Sequence, residues 1–184
     1  NPPAPPVSQP AKYNPEPNTD TAPLVNPFID YPQPTDAAPA LEVKVYTKPL
    51  KAPNGQFWPK TAAYIPGYPI RMEDGLSEVT IDNTRNNSDV FVKLFRLGAN
   101  GAKTTIRQVF IPAFSQFTMQ DIRAGRYDIR YQDLDNGAFS KTESFTLEEI
   151  PIYNGTQYSQ YSLTLYKVAN GNMQIQDISA TEFQ

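Results

Sequence analysis

The sequence predicts an all-β fold, an antiparallel Greek-key sandwich of about seven to nine strands behind an extended proline-rich segment. Three observations predict it. Five Asn-Gly dipeptides begin at positions 54, 100, 136, 154 and 170, most of them between alternating runs; Asn and Gly best tolerate the positive φ of type I′ hairpin turns. From residue 77 onward apolar residues recur with period two, as in Tyr127-Asp-Ile-Arg-Tyr131, which is the pattern of a half-buried strand. No stretch carries helical periodicity, and at most one turn over Leu147 to Ile150 is expected to wind.

Residues 1–40 hold most of the 19 prolines and few aliphatic side chains. Frequent proline fixes φ, opposes helix and favours polyproline II, so this stretch is expected as a semi-extended leader. One apolar island interrupts it, made of Leu24, Val25, Phe28, Ile29 and Tyr31. A segment too polar to collapse by itself is expected to dock such an island on a sheet edge or groove of a partner. The β-domain is expected over residues 41–184, near the usual size of one domain.

Leu41–Tyr46 alternates and reads as the first strand. Residues 51–71 are too rich in Pro and Gly for a central strand. They carry Phe57, the single tryptophan Trp58, Tyr64 and Tyr68. Flat amphipathic rings stack on sugars and on proline-rich peptides, so the loop reads either as a cap on the sandwich or as a ligand platform.

Strands are expected at 78–84 and 89–97, joined by a hairpin at Arg85-Asn-Asn-Ser88. Phe91-Val-Lys-Leu-Phe95 is apolar at both parities, which marks a central strand covered on two sides. Further strands are expected at 104–111, 115–122 and 127–131, the last two flanking Arg123-Ala-Gly-Arg126 as a hairpin. Tyr127, Ile129 and Tyr131 face one way; Asp128, Arg130 and Gln132 face the other. Runs at 140–147, 158–168 and 173–178 complete the series.

Cysteine and histidine are both absent. Disulfides, thiolate zinc sites, thiol nucleophiles and imidazole bases go with them. The formal charge of −3 arises wholly in the leader, and the 15 bases and 15 acids of the remainder cancel. A neutral domain with no basic stripe argues against nucleic acid and against an anionic membrane as partners. No apolar run is long enough to span a bilayer. A chain opening on Asn1 reads as a processed product and points to an extracytoplasmic place, the periplasm or the cell surface.

Phe110-Ile-Pro112, Phe117-Thr-Met119, Ile122-Arg-Ala-Gly125 and Tyr127-Asp-Ile129 together resemble the pattern of transthyretin-like and carboxypeptidase-regulatory-like domains. The resemblance implies a seven-stranded Greek-key sandwich of the kind that serves as an accessory module on secreted or envelope proteins. It is a packing signature, with Gly for the turn and Tyr and an aliphatic for the core, and it implies no active site.

The candidate chemistry is thin. Asp133-Leu-Asp135-Asn136-Gly137 resembles a calcium loop but lacks the closing Glu and flanking helices, so it reads as a turn. Glu148 and Glu149 are adjacent, and adjacent strand residues face opposite sides, so they do not flank one glycosidic bond. Without histidine a serine or threonine nucleophile needs a lysine or a terminal amine as base, and no Ser-x-x-Lys motif is present. Gly98-Ala-Asn-Gly101 lies between strands and reads as a turn. Asn86-Asn-Ser88 and Asn154-Gly-Thr156 fit the N-glycosylation pattern. Lys93 is the one lysine placed for the Lys-Asn isopeptide bond of some cysteine-free surface sandwiches; otherwise it is an outward-facing charge.

The expected function is therefore that of a non-catalytic structural or assembly module of an exported envelope or surface complex or filament, with no enzyme activity and no cofactor. It would dock through its leader onto copies of itself or other envelope subunits. The alternative is a carbohydrate- or peptide-binding module using Phe57, Trp58, Tyr64 and Tyr68.

Overall fold

The computed structural model describes residues 46–165 and 175–184, all within the second of the two units into which the chain divides, Val43–Gln184. Leu24, Val25, Phe28, Ile29 and Tyr31 lie outside the described residues. So does all of the expected strand Leu41–Tyr46 except Tyr46, which is not in a strand.

In chain order the strands are β1 (Ala63–Tyr64), β2 (Ser77–Asp82), β3 (Val90–Leu97), β4 (Lys103–Ile111), β5 (Gln116–Ile122) and β6 (Gly125–Asp133). There follow β7 (Phe139–Thr142), β8 (Phe145–Leu147), β9 (Glu149–Ile152), β10 (Gly155–Tyr158), β11 (Gln160–Thr164), β12 (Ile175–Asp177) and one helical turn, α1 (Ala180–Phe183). The larger sheet has the order β1-β4-β3-β6-β7-β12, with β8 also on β6; the smaller is β11-β2-β5; β9 and β10 form a separate ribbon. Twelve strands stand among the described residues where seven to nine are expected, because short pieces and the ribbon add to the main sandwich.

Period-two burial brings the two sheets face to face. Val79, Ile81, Met119, Ile122 and Leu163 from the smaller sheet meet Val90, Val92, Leu94, Val109, Ile111, Tyr127 and Ile129 from the larger one in a single core. Each such aliphatic side chain contributes about 1.5–3 kcal/mol by leaving water. β6 returns beside β3 after β5 has crossed to the other layer, which is the Greek-key return.

Two expected hairpins are instead crossings between layers. β2 and β3 flank Arg85–Ser88 but lie in different sheets, as do β5 and β6 around Arg123–Arg126. Strands that both need an inward apolar face are satisfied by facing each other as well as by pairing, and local sequence does not distinguish the two. The first crossing is knitted by the fully buried Asn83, whose Nδ2 donates to the Ser88 and Pro112 carbonyls at 2.9 and 3.0 Å. The second turns at Asp121, with φ 56°, and is fixed by the Tyr127 hydroxyl donating to the Arg123 carbonyl at 2.6 Å. One pairing departs from the antiparallel expectation: β11 runs parallel to β2. The β9–β10 excursion returns the chain to the end where β2 starts, with Glu78 N donating to the Ser159 carbonyl at 3.0 Å.

The four Asn-Gly turns among the described residues are not type I′, and Asn170-Gly171, with residues 166–174 of the last two expected strands, lies outside them. Gly55, Gly101 and Gly137 have φ of 83°, 78° and 80°, while the asparagines before them do not have positive φ. At 52–56 and 98–102 a three-residue loop closes with Gly in the left-handed position, a type I turn plus bulge. The asparagine acts through its side chain: Oδ1 of Asn54, Asn100 and Asn136 accepts the N–H two residues on, from Gln56, Ala102 and Ala138.

Leu147 to Ile150 runs from β8 into β9 rather than winding. The turn that does wind, α1, is capped by Ser179, whose Oγ accepts from Glu182 N at 3.2 Å. It is too short to show a period in the sequence; its signal was the Ser-x-x-Glu capping box.

Gly75 is buried with the Ile122–Arg123 backbone where a Cβ would stand. Gly75→Ala is expected to destabilise the domain by about 1–3 kcal/mol through overpacking, read as a lower urea midpoint with an unchanged m-value.

Candidate functional site

The outer face of the larger sheet is where the covered side of β3 acquires chemistry. Lys93 on β3, Arg130 on β6 and Lys141 on β7 are cross-strand partners in one row. Alternation sends them to the same side as Phe91, opposite the core. The two-sided cover expected of β3 extends to its lysine, which is not an outward-facing charge: Lys93 is 9% exposed and Arg130 3%.

Two segments cover it. From one side the 51–71 loop stacks Trp58 on Phe110 and tilts it against Phe91, with ring centroids 5.5 Å apart in both cases. Tyr68 stacks on Phe91 at 6.2 Å, and the indole N–H of Trp58 donates to the Pro49 carbonyl at 2.7 Å. From the other side α1 sets Phe183 edge-on to Phe91 at 5.4 Å and against Phe139 at 5.0 Å.

The cations meet the C-terminal end of α1, where carbonyls lack helical partners and positive charge is favoured. Arg130 donates to the Glu182 carbonyl and to both oxygens of Asp128, at 3.1 and 3.2 Å. Lys141 pairs with the Glu182 carboxylate at 2.5 Å, which holds that carboxyl below its usual range. Lys93 Nζ donates to the Phe183 carbonyl at 3.2 Å and lies 4.4 Å from the Phe183 ring centroid. Burial, and then the neighbouring Arg130 charge, push its ammonium below the ordinary lysine value. A cavity of about 460 Å³ opens here, bounded by Pro53, Lys93, Gln132, Phe139 and Phe183.

A second cavity, of about 300 Å³, lies at the seam between β1 and β5 and is bounded by Tyr64, Glu73, Arg107, Phe117 and Asp121. Arg107 is fully buried and acts as a tie: its guanidinium donates to the carbonyls of Arg71, Ile106, Gln120 and Asp121, so one side chain of β4 grips β5.

The third feature is the β9–β10 finger. Its base is closed by Ser159 N donating to the Glu148 carbonyl at 3.1 Å, and Leu76 N donates to the Glu149 carboxylate at 2.9 Å. Beyond the base, Ile150, Ile152, Tyr153 and Tyr158 are exposed.

The residues of the expected platform do not gather. Trp58 and Tyr68 share the Phe91 cluster, Tyr64 belongs to the other face and meets Phe117 edge-on at 5.1 Å, and Phe57 stands outward beneath Lys51. Asp133 spends its carboxylate on its own turn, accepting from Asp135 N, Asn136 N and Asn136 Nδ2. Asp135 and Asp89 clasp Lys48 at 2.8 and 2.5 Å. Asn86 is buried, its amide bonded to Asn83 and Ser88, whereas Asn154 is exposed on the finger. The basic row was missed by sequence reasoning; a lysine within a strand apolar at both parities was the available signal.

Comparison with known proteins finds no match for this chain: no family model, no curated protein and no solved structure.

A lysine whose folded pKa lies below its unfolded one binds fewer protons when folded between those two values. Stability therefore rises with pH across that window. Lys93→Met is expected to be more stable than wild type at neutral pH, and the gap is expected to narrow as pH climbs toward the ordinary lysine value of 10.5. Urea denaturation of both proteins across the alkaline range checks this, since the tyrosines contribute equally to each.

Proposed function

We propose that the chain is a non-catalytic assembly module of an exported envelope or surface complex, in which the leader of one copy docks on the β9–β10 finger of the next. The observation that carries this reading is the finger itself. A two-stranded ribbon is marginal in water alone, and exposed apolar surface concentrated in one place marks an interaction site. Of the large apolar residues exposed among those described, Ile150, Ile152, Tyr153 and Tyr158 fall on this one ribbon. Ile150 and Ile152 lie on one face, opposite Gln157 and Gly155.

The ends of the sandwich give the direction. Tyr46 lies on Gly137, just past the end of β6, and Lys48 is held beside it by Asp89 and Asp135. The finger leaves from Leu147, paired with Gly125 at the start of β6. The nine residues of β6 separate these points, a distance of about 30 Å at the usual rise per residue. Tyr46, the first described residue, and the finger thus lie at opposite ends of the domain, and a contact that joins these two ends of successive copies is heterologous, closing into rings or running into filaments. The apolar island Leu24, Val25, Phe28, Ile29 and Tyr31 is the part of the leader suited to strand addition, with main-chain hydrogen bonds giving affinity and alternate side chains specificity.

The Tyr127–Arg123 hydrogen bond is the tyrosine corner common in Greek-key sandwiches. It supports the transthyretin-like reading and, with it, an accessory role. The acids and bases clustered at the loops favour a non-catalytic role, because Asp133, Asp89, Asp135, Asp74 and Arg123 are engaged in turns and ties.

Deleting residues 1–40 is expected to reduce the protein to a folded monomer, and Ile152→Asp with Tyr153→Ser is expected to do the same with the leader intact. Sedimentation velocity measures the size, and circular dichroism the fold. A truncated protein that still assembles overturns the reading; assembly that needs the leader but survives the finger substitutions moves the docking surface elsewhere.

A further inference from the structure

We propose that the cavity beside Lys93 on the outer face of the larger sheet binds a carboxylate carried on an aromatic or aliphatic body. The charge pattern of the basic row carries the inference. Arg130 has the Asp128 carboxylate at 3.1 Å and Lys141 has that of Glu182 at 2.5 Å. Lys93 has the Phe183 carbonyl and two aromatic rings, and none of the ion pairs among the described residues includes it. It is nonetheless nine-tenths buried and borders the cavity.

A buried cation without an opposite charge is unfavourable, so an anion that reaches it gains more than it would at the surface. The ammonium has three donors and the Phe183 carbonyl takes one. The neighbouring guanidinium and the burial that depress its proton affinity are both offset by a negative group at that point.

The walls select the rest of the ligand. Pro53, Phe139, Ala180 and Phe183 present apolar surface, Gln132 and Gln184 polar surface, and about 460 Å³ is the scale of a small-molecule site. One unbalanced positive charge calls for one negative charge. A phosphate dianion brings more than Lys93 leaves unmatched, and a neutral sugar leaves the ammonium as it is. The carboxylate belongs either to a free acid or to the terminus of a peptide. The inference stands apart from the assembly reading, because it concerns a different face.

The test titrates the full-length chain by calorimetry with 3-phenylpropionate and with 3-phenylpropionamide, and with the tripeptide Ala-Ala-Phe as free acid and as C-terminal amide. At least one acid is expected to bind more than about tenfold tighter than its amide, and Lys93→Met is expected to lose that preference while remaining folded. Preference shown by the free acid alone assigns a small-molecule ligand; preference shown by the peptide acid assigns a chain terminus. The proposal is overturned if neither acid binds saturably at millimolar concentration, if acid and amide bind alike, or if Lys93→Met keeps the preference.

Discussion

Strand β3 divides its side chains between two hydrophobic clusters on opposite faces of the same sheet. Val90, Val92 and Leu94 belong to the core between the layers, and Phe91 to a second cluster with Phe110, Leu134, Ile65 and Phe183. A sheet of a two-layer sandwich is ordinarily wet on its outer face, so this second cluster has to be covered by something other than strands. The 51–71 loop and α1 supply the cover, and the placement of the loop aromatics and the one helical turn follows from it.

Covering that face also buries its polar positions. Alternation that exposes Phe91 to the loop and α1 sends Lys93 to the same side, and register places Arg130 and Lys141 beside it. Three adjacent cations under an apolar cover are tolerable only if acceptors reach them, and the C-terminal carbonyls of α1 with Glu182 and Asp128 provide most of these. The helical turn is thus held by charge as well as by Phe183. Lys93 is where the compensation is incomplete.

The two ends of the sandwich are built differently. At the end where β6 finishes, Asn83, Asn86, Asp89, Asp133 and Asp135 saturate one another and the crossing loops with hydrogen bonds. At the other end the chain leaves the core entirely, extends the finger and returns to pair in parallel with β2. Polar closure at one end and exposed apolar surface at the other give the domain a direction, and that direction underlies the assembly reading.

By itself the sequence determined the β class, the strands between Ser77 and Tyr131 and the two-sided coverage of β3, because side-chain period and strand length are local properties of an extended backbone; it did not give β9 and β10, which bury too little to show a pattern. It also placed Gly55, Gly101 and Gly137 at turns, since a left-handed φ is a property of single residues. Only the tertiary structure decided which consecutive strands pair and which face each other across the core, because an apolar stripe is satisfied equally by either arrangement. It alone decided that Trp58 and Tyr68 cover a sheet face, that Tyr64 faces the opposite way, and that Lys93, Arg130 and Lys141 meet α1. Those contacts join residues tens of positions apart, and their energy comes from burial and charge compensation that no local window contains.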